Sequence, residues 1–380
     1  MKKIKIALVG VAFGGAFIDI YKEHPNVEEI GIYDINEEVL KKTAECKGIK
    51  KVYTSFEEIL NNQDLDAVHL VTPIPLHAEQ TIKVLESGKH CACTVPMAIS
   101  LDEITKIIKA VRKSGKNYMM METTLYTYQY FYVKEMIENG EIGKIQFMRG
   151  CHYQDMSKWP EYWMGLPPMY YGTHAIGPMV ALSGSRIKKV NCFGSGTMDE
   201  KMYHRYNNPF PVECAIFEFE NGMKAEATRT LFETARAYKE GLNIYGSKKS
   251  FEWGFHDGDD PIITTLIETG QDCRGNHCET ETIPMPNYHH LLPQEIQHHT
   301  VGENFDPLNP HISLSKGAGG GHHGSHPHLV HEFVMSIIEN RKPWIDEYLG
   351  ANITAAGICA HESAMKNGET IIVPNFKEII

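Results

Sequence analysis

The first third of the chain alternates strand-like and helix-like segments, and this alternation constrains the fold more than any other feature. Residues 4–9 are an apolar run broken only by Lys5, which suits a buried strand. Residues 16–23 read as a helix, 27–33 as a second strand ending at Asp34, and 37–46 as a helix. The series continues with strands at 52–54, 67–71, 90–93 and 117–121, and with helices at 76–85 and 104–111. Ser55 with Glu58, and Ser100 with Glu103, have the capping-box spacing that starts a helix. Strands alternating with helices imply a parallel sheet covered on both faces.

After about residue 123 the pattern changes. A helix over 130–139 leads into strand-like runs at 144–153, 188–196, 212–219, 224–231 and 241–245. Most follow one another with no clear helix between them, and Asn221-Gly222 is a strong hairpin signal. The expected architecture is α/β over residues 1–123, a parallel doubly wound sheet. An α+β domain with a large, mainly antiparallel open sheet follows over 124–380. Within it, residues about 255–321 are polar and rich in Pro, His and Gly. They read as an irregular excursion, a functional loop or a contact arm. Helices are expected at 329–339 and 351–366.

Gly10-Val11-Ala12-Phe13-Gly14-Gly15 follows the first strand. The dinucleotide fingerprint is G-x-G-x-x-G, whose glycines permit a tight turn and close pyrophosphate approach. Here Ala12 replaces the second glycine. The context supports the motif: strand before, helix after, and Asp34 about 20 residues on, placed to accept from the adenosine ribose. Ile35 rather than Arg follows Asp34, which favours NAD over NADP. A glycine-rich turn in an unliganded domain is the plainer alternative. The turn carrying Thr72, Pro73, Pro75 and His77 follows the fourth strand, where ligands of parallel sheets bind. Equally, the two prolines simply set a helix entrance.

The net charge is −11, which argues against nucleic acid, since phosphate binding needs clustered Lys and Arg. No stretch approaches the roughly 20 apolar residues of a membrane span. The start, MKKIKIALVG, is too short for a signal peptide and lacks the small-residue cleavage site. The 9 cysteines are scattered, mostly in apolar runs, as expected of free thiols in a reducing cytoplasm. The 20 histidines are not explained by composition and have to be placed.

The chain resembles the Gfo/Idh/MocA superfamily of NAD(P)-dependent sugar oxidoreductases. The resemblance rests on the fingerprint, Thr72-Pro73 with His77, Gly88-Lys89-His90, Gly140-Glu141-Ile142-Gly143-Lys144 and Tyr245-Gly246-Ser247-Lys248-Lys249-Ser250. It implies a Rossmann domain and a C-terminal sheet that pairs copies of the chain into a homo-oligomer. It adds Thr94 and Pro96 to the cofactor side. The family usually carries Glu-Lys-Pro after the fifth strand, its lysine moving a proton. This chain has Thr94-Val95-Pro96. Many members also carry Asp where this chain has Tyr170.

These departures resemble the branch that includes NAD-dependent α-N-acetylgalactosaminidases. The matching residues are Tyr171-x-Thr173-His174-x-x-Gly177-Pro178, Met121-Glu122, His152-x-x-Asp155 and Gly320-Gly321-His322-His323-Gly324. The branch implies oxidation of a sugar at C3, loss of the acidified C2 proton, elimination of the glycosidic group, water addition and return of the hydride. It places Glu122, Tyr171 and His174 at the reacting sugar. On the substrate side it implies His152, Asp155, Tyr170, His322 and His323.

His174 suits proton transfer near neutral pH, and Tyr171 would share its face if the segment is helical. A core histidine hydrogen-bonded to backbone is the bland alternative. Glu122 ends a strand, where a lone carboxylate needs a reason, and capping the next segment is one. Trp159 belongs to an aromatic segment that suits sugar C–H faces or packing equally. Arg229 suits substrate hydroxyls or a surface strand. The His322-to-His331 run offers imidazoles to a metal, but flanking glycines and the branch motif favour a substrate loop, so no metal is assigned. The substrate class is a sugar or glycoside. Three outcomes stay open: a net dehydrogenase, a redox-neutral glycosidase that recycles its cofactor, and a non-catalytic sugar or NAD sensor.

Overall fold

The computed structural model describes residues 2–379 apart from 204, 257, 270–272, 301–304, 307–308 and 314–321. The chain packs as two compact units. One is Met1–Tyr126 with Asn287–Ala351 and Phe376–Ile380, and the other is Thr127–Pro286 with Asn352–Asn375.

The first unit holds a six-stranded parallel sheet. Its strands are β1 (Ile4–Val9), β2 (Val27–Tyr33), β3 (Lys51–Val52), β4 (Ala67–Leu70), β5 (His90–Thr94) and β6 (Tyr118–Met121), in the order β3-β2-β1-β4-β5-β6. The order reverses between β1 and β4, so a crevice opens outside their carboxyl ends. The connecting helices are α1 (Val11–Glu23), α2 (Glu37–Lys47), α3 (Phe56–Asn61), α4 (His77–Glu86) and α5 (Leu101–Ser114). Ser55 and Ser100 cap α3 and α5 as their spacing predicts, each accepting from the amide three residues on. The paired carboxylates reach one residue further back than a capping box requires, Glu58 to the Thr54 amide and Glu103 to that of Ile99.

The second unit opens with α6 (Tyr128–Glu138) and holds a nine-stranded mixed sheet. Its strands are β7 (Ile145–Tyr153), β8 (Ile187–Ser195), β9 (Val212–Phe219), β10 (Lys224–Thr230), β11 (Lys239–Gly246), β12 (Lys249–Glu252), β13 (Ile262–Ile267) and β14 (His277–Thr282), with the edge strand Ile371–Ile372 beside β8. All neighbours pair antiparallel except β7 and β10. Helix α7 (Thr173–Ser183) lies on this sheet. Gly150 permits the close approach, since a Cβ there would lie 2.3 Å from the Ala175 carbonyl oxygen.

The stretch 255–321, expected as an irregular excursion of the second domain, divides. Strands β13 and β14 extend the nine-stranded sheet, with six paired positions from Ile262↔Thr282 to Ile267↔His277. Their β-branched residues suit a half-exposed hairpin, but the polar stretch between the strands hides the pairing. Residues 287–351 instead pack in the first unit. They include α8 (Ser325–Ile338), close to the helix expected at 329–339.

Candidate active site

The nucleotide end is built mostly from backbone. The chain turns from β1 into α1 through Gly10 alone, whose φ is +89°. A Cβ there would lie 2.3 Å from the Val71 carbonyl oxygen, so only glycine fits. A Cβ on Gly14 would lie 2.7 Å from Leu8 Cδ2, so this glycine sets how closely α1 packs on the sheet. Gly15 is buried beside it. Gly10 itself offers no capping side chain, and the first-turn amides of the exposed Ala12 and Phe13 have no intrahelical acceptor. First-turn amides at a helix start beside tight glycines form an anion cradle that fits a pyrophosphate. Asp34 accepts from the Val11 amide at 2.8 Å and the Asn36 amide at 2.9 Å. A carboxylate keeps lone pairs for ribose hydroxyls as well.

The turn that follows β4 is tied together by His77. Its Nε2 lies 2.8 Å from the Thr72 carbonyl oxygen and its Nδ1 2.7 Å from that of Pro96. Only an imidazolium could donate to both. Burial pushes the His77 pKa below its ordinary value, while the two carbonyls pull it back up. The Thr72 hydroxyl donates to Gln80 at 2.6 Å, and Thr94 donates to the Leu70 carbonyl at 3.4 Å. Pro73 precedes, and Pro75 lies within, the 3-10 turn Ile74–Leu76 that leads into α4.

Glu122, in the first unit, is fully buried. Its Oε1 accepts from the Thr124 amide at 3.1 Å and the Thr124 hydroxyl at 2.8 Å. The carboxylate therefore caps the next turn, and that contact also fixes its orientation.

The acid–base candidates of the second unit stand on one row of its sheet. Glu213 on β9 pairs with Arg229 on β10, Arg229 with His152 on β7, and His152 with Glu240 on β11. All four are fully buried. The adjacent row on the same face is Ala215, Ala227, Gly150 and Leu242, and the row beyond it is Phe217, Ala225, Met148 and Ile244. Polar groups thus take only the last row of an otherwise apolar face. Burying charges this way is costly unless they are paired or used.

His174 sits in the first turn of α7, with Nε2 3.3 Å from the Tyr171 hydroxyl and 3.9 Å from Glu240 Oε1. Tyr171 is not part of α7. It ends the 3-10 turn Pro168–Tyr171 just before α7, and the two rings still meet edge to face. The His152 ring lies 4.8 Å from that of His174 and 5.4 Å from that of Tyr238, and Tyr238 donates to Glu240.

The turn carrying Tyr171 is clamped. Arg229 Nε donates to the Tyr171 carbonyl at 3.0 Å, and its Nη1 donates to that of His152 at 3.2 Å. Burial lowers the Arg229 pKa to about 10, against the pull of Tyr171, Tyr238 and Glu240. Glu213 accepts from the Met169 amide at 2.7 Å and lies 2.6 Å from His361 Nδ1. The Tyr170 ring packs edge-on against His361. Arg229, expected to face substrate or solvent, is a buried strut holding two site carbonyls.

Other substrate candidates fall elsewhere. Asp155 is exposed and caps the turn at Ser157. Trp159 is 45% exposed and meets Trp163, which in turn packs on Tyr171. His322 and His323 belong to the first unit, both with positive φ. His326, one helical turn on from His322, stacks on Phe17 with ring centres 4.4 Å apart. His328 is buried, which lowers its pKa to about 3. Gly320 and Gly321 lie outside the described residues. Glu213, Glu240, Tyr238 and His361 were not singled out in the sequence. The available signal was an acidic residue at an inward position of an alternating strand.

A doubly wound dinucleotide unit joined in one chain to a mixed sheet with a buried acid–base row defines a class of nucleotide-dependent oxidoreductase-type proteins. The chain belongs to the GFO/IDH/MocA oxidoreductase family. Residues 4–122 match the family described as oxidoreductase family, NAD-binding Rossmann fold, and residues 130–252 match the GFO/IDH/MocA C-terminal domain. An α-N-acetylgalactosaminidase of Shewanella oneidensis is 23% identical over 99% of this chain and 85% of its own length. A glycosyl hydrolase family 109 protein of Porphyromonas gingivalis is 25% identical over 62% of this chain, which spans only 54% of that relative. Among solved structures, a levoglucosan dehydrogenase in complex with NADH and levoglucosan shares the fold, with a TM-score of 0.77 at 21% identity over 98% of this chain and all of that one. A myo-inositol 2-dehydrogenase of Lactobacillus plantarum does so at 0.74 and 16%, again over 98% of this chain and all of that one. Among the described residues no helix is long and apolar enough to cross a membrane.

Proposed function

We propose that this chain is an NAD-dependent enzyme acting on a sugar or glycoside at a ring hydroxyl carbon, C3 by resemblance, in a redox-neutral glycoside cleavage. The observation that carries the reading is the contact of the half-buried Tyr171 with the buried His174, set against Glu240. Bound nicotinamide would supply the hydride acceptor and later the donor. The remaining work falls to side chains. His174, within reach of the Tyr171 hydroxyl, takes the proton of the sugar hydroxyl and returns it at the end. Glu240 favours the imidazolium that forms. Glu122 is assigned the second acid–base role, with Thr124 fixing its carboxylate. Val95 precedes Pro96 where the family carries a lysine, so no ammonium group from that position shares the proton transfer. The relatives with glycosidase names support the redox-neutral outcome over net dehydrogenation.

NAD is preferred over NADP because the Asp34 carboxylate would repel a 2′-phosphate and the exposed Ile35 offers no cation. Tyr170, Trp159, His152, His322 and His323 remain assigned to the substrate side. Copies of the chain pair through the outer sheet face, where Phe193 and Ile216 are about half exposed on neighbouring strands.

The test is a panel of aryl glycosides, following aglycone release and NADH absorbance together, on protein assayed first for co-purified NAD. Aglycone release without net NADH is expected. Steady NADH formation from free sugars would replace this reading with a net dehydrogenase. Neither signal, with only a shift in melting temperature, would leave a sensor.

A further inference from the structure

Several histidines of the first unit are committed to packing. His24 Nε2 lies 3.0 Å from His331 Nδ1, and His69 accepts or donates at the Tyr21 hydroxyl over 3.2 Å. His326 stacks on Phe17, and His328 is buried. One adjacent pair behaves differently. His298 and His299 lie in the 3-10 turn Gln294–Thr300, where successive side chains should project about 120° apart. Instead their ring centres are 4.0 Å apart, and both Nε2 atoms lie 3.0 Å from one oxygen of Glu23, at the end of α1.

Packing does not account for this convergence. His298 is 61% exposed and Glu23 43%, and exposed ion pairs are worth on the order of 0–1 kcal/mol. A shared cation does account for it. The three donor atoms lie within 4.8 Å of one another, and donors around a tetrahedral zinc with bonds of about 2 Å are roughly 3.3 Å apart. Small side-chain shifts would close that difference. Two imidazoles and one carboxylate select late first-row ions over Mg²⁺ or Ca²⁺, and the open side leaves room for water to complete the shell.

We propose that Glu23, His298 and His299 form a binding site for one divalent cation of the zinc type, tethering the 294–300 turn to the end of helix α1. The site lies wholly within the first unit and does not rest on the functional reading above. It uses none of the residues assigned there.

The test titrates metal-stripped protein with Zn²⁺ by calorimetry, and with Co²⁺ by visible absorption to report direct coordination. The expected result is one saturable site in the wild-type protein. In His298→Ala/His299→Ala and in Glu23→Gln, affinity should fall at least tenfold and the Co²⁺ band should be lost. His289→Ala/His290→Ala removes an exposed adjacent pair outside the site and should bind as wild type does. Far-UV circular dichroism and NAD binding check that each variant is folded. Absence of saturable Zn²⁺ binding in wild type, or undiminished binding in folded His298→Ala/His299→Ala, would overturn the proposal.

Discussion

The two ends of the proposed chemistry are assembled in opposite ways. The nucleotide end is short-range and made largely of main chain: Gly10, the first-turn amides of α1, and carbonyls gathered by His77. The acid–base end is long-range and made of side chains. Four strands each supply one buried polar residue to a single row, and α7 brings His174 to it. A backbone cradle tolerates a change such as Ala12 because amides survive any side chain but proline. A side-chain row does not tolerate such changes, since each member is buried against the next.

The comparison breaks hardest at His174. His174→Ala should lower turnover by roughly 10²–10⁴-fold, the usual worth of a general acid–base group. NAD affinity should be unchanged, since the cradle belongs to the other unit. The readouts are the aryl-glycoside assay and cofactor fluorescence titration. Full turnover in the variant would remove His174 from the proposed chemistry.

Glu213 tests whether the row also positions the site. It holds the Met169 amide and His361 in the buried interior. Glu213→Gln keeps the shape but turns an amide NH₂ toward one of two donors. Losing such a buried charged contact should cost roughly 3 kcal/mol. Amide exchange followed by mass spectrometry should speed up across 168–176 and leave 10–34 unchanged. If Tyr171 is positioned through this contact, turnover should fall with little change in KM. A loss of stability alone would make Glu213 a packing residue.

The same contrast explains what was legible in the sequence. The parallel sheet, the fingerprint and both Ser caps could be read because each is encoded within a few neighbouring residues. The Tyr171–His174 contact was also readable, since three residues separate them, although the geometry is a 3-10 turn followed by a helix rather than one continuous helix. Glu240 and Glu213 could not be read. Their meaning comes from cross-strand register, and the parallel β7–β10 pairing that aligns Arg229 with His152 has no local signal. Arg229 looks like a surface or substrate residue in the sequence for the same reason. The hairpin β13–β14 is not legible because its exposed strand β14 lacks the apolar alternation that marks a half-buried one.

Gly10 probes the cradle from its own side. Gly10→Ala puts a methyl group against the Val71 carbonyl in a conformation L residues avoid. Strain of this kind costs on the order of 1–3 kcal/mol. NAD binding should weaken, and amide exchange should quicken across β1 and α1. Exchange across β7, β10 and β11 should stay as in wild type. Equal quickening there would mean that the two ends do not fold as separately as their construction suggests.

The smallest effect is a pH slope in the first unit. Burial lowers the pKa of His69 from 6.5 to about 3, and burial with His331 does the same for His24. A histidine depressed in the fold binds its proton more tightly when unfolded. Its stabilising effect is therefore complete above pH 6.5 and lost progressively as pH falls toward 3. Between pH 7.5 and 5.5 each such histidine should cost about 1.4 kcal/mol, one pKa unit's worth. His69→Gln keeps a polar partner for Tyr21 but does not titrate. Denaturant melts at the two pH values should show the variant losing about 1.4 kcal/mol less than wild type over that interval. Identical slopes would mean that His69 is protonated, or solvated, in the folded first unit.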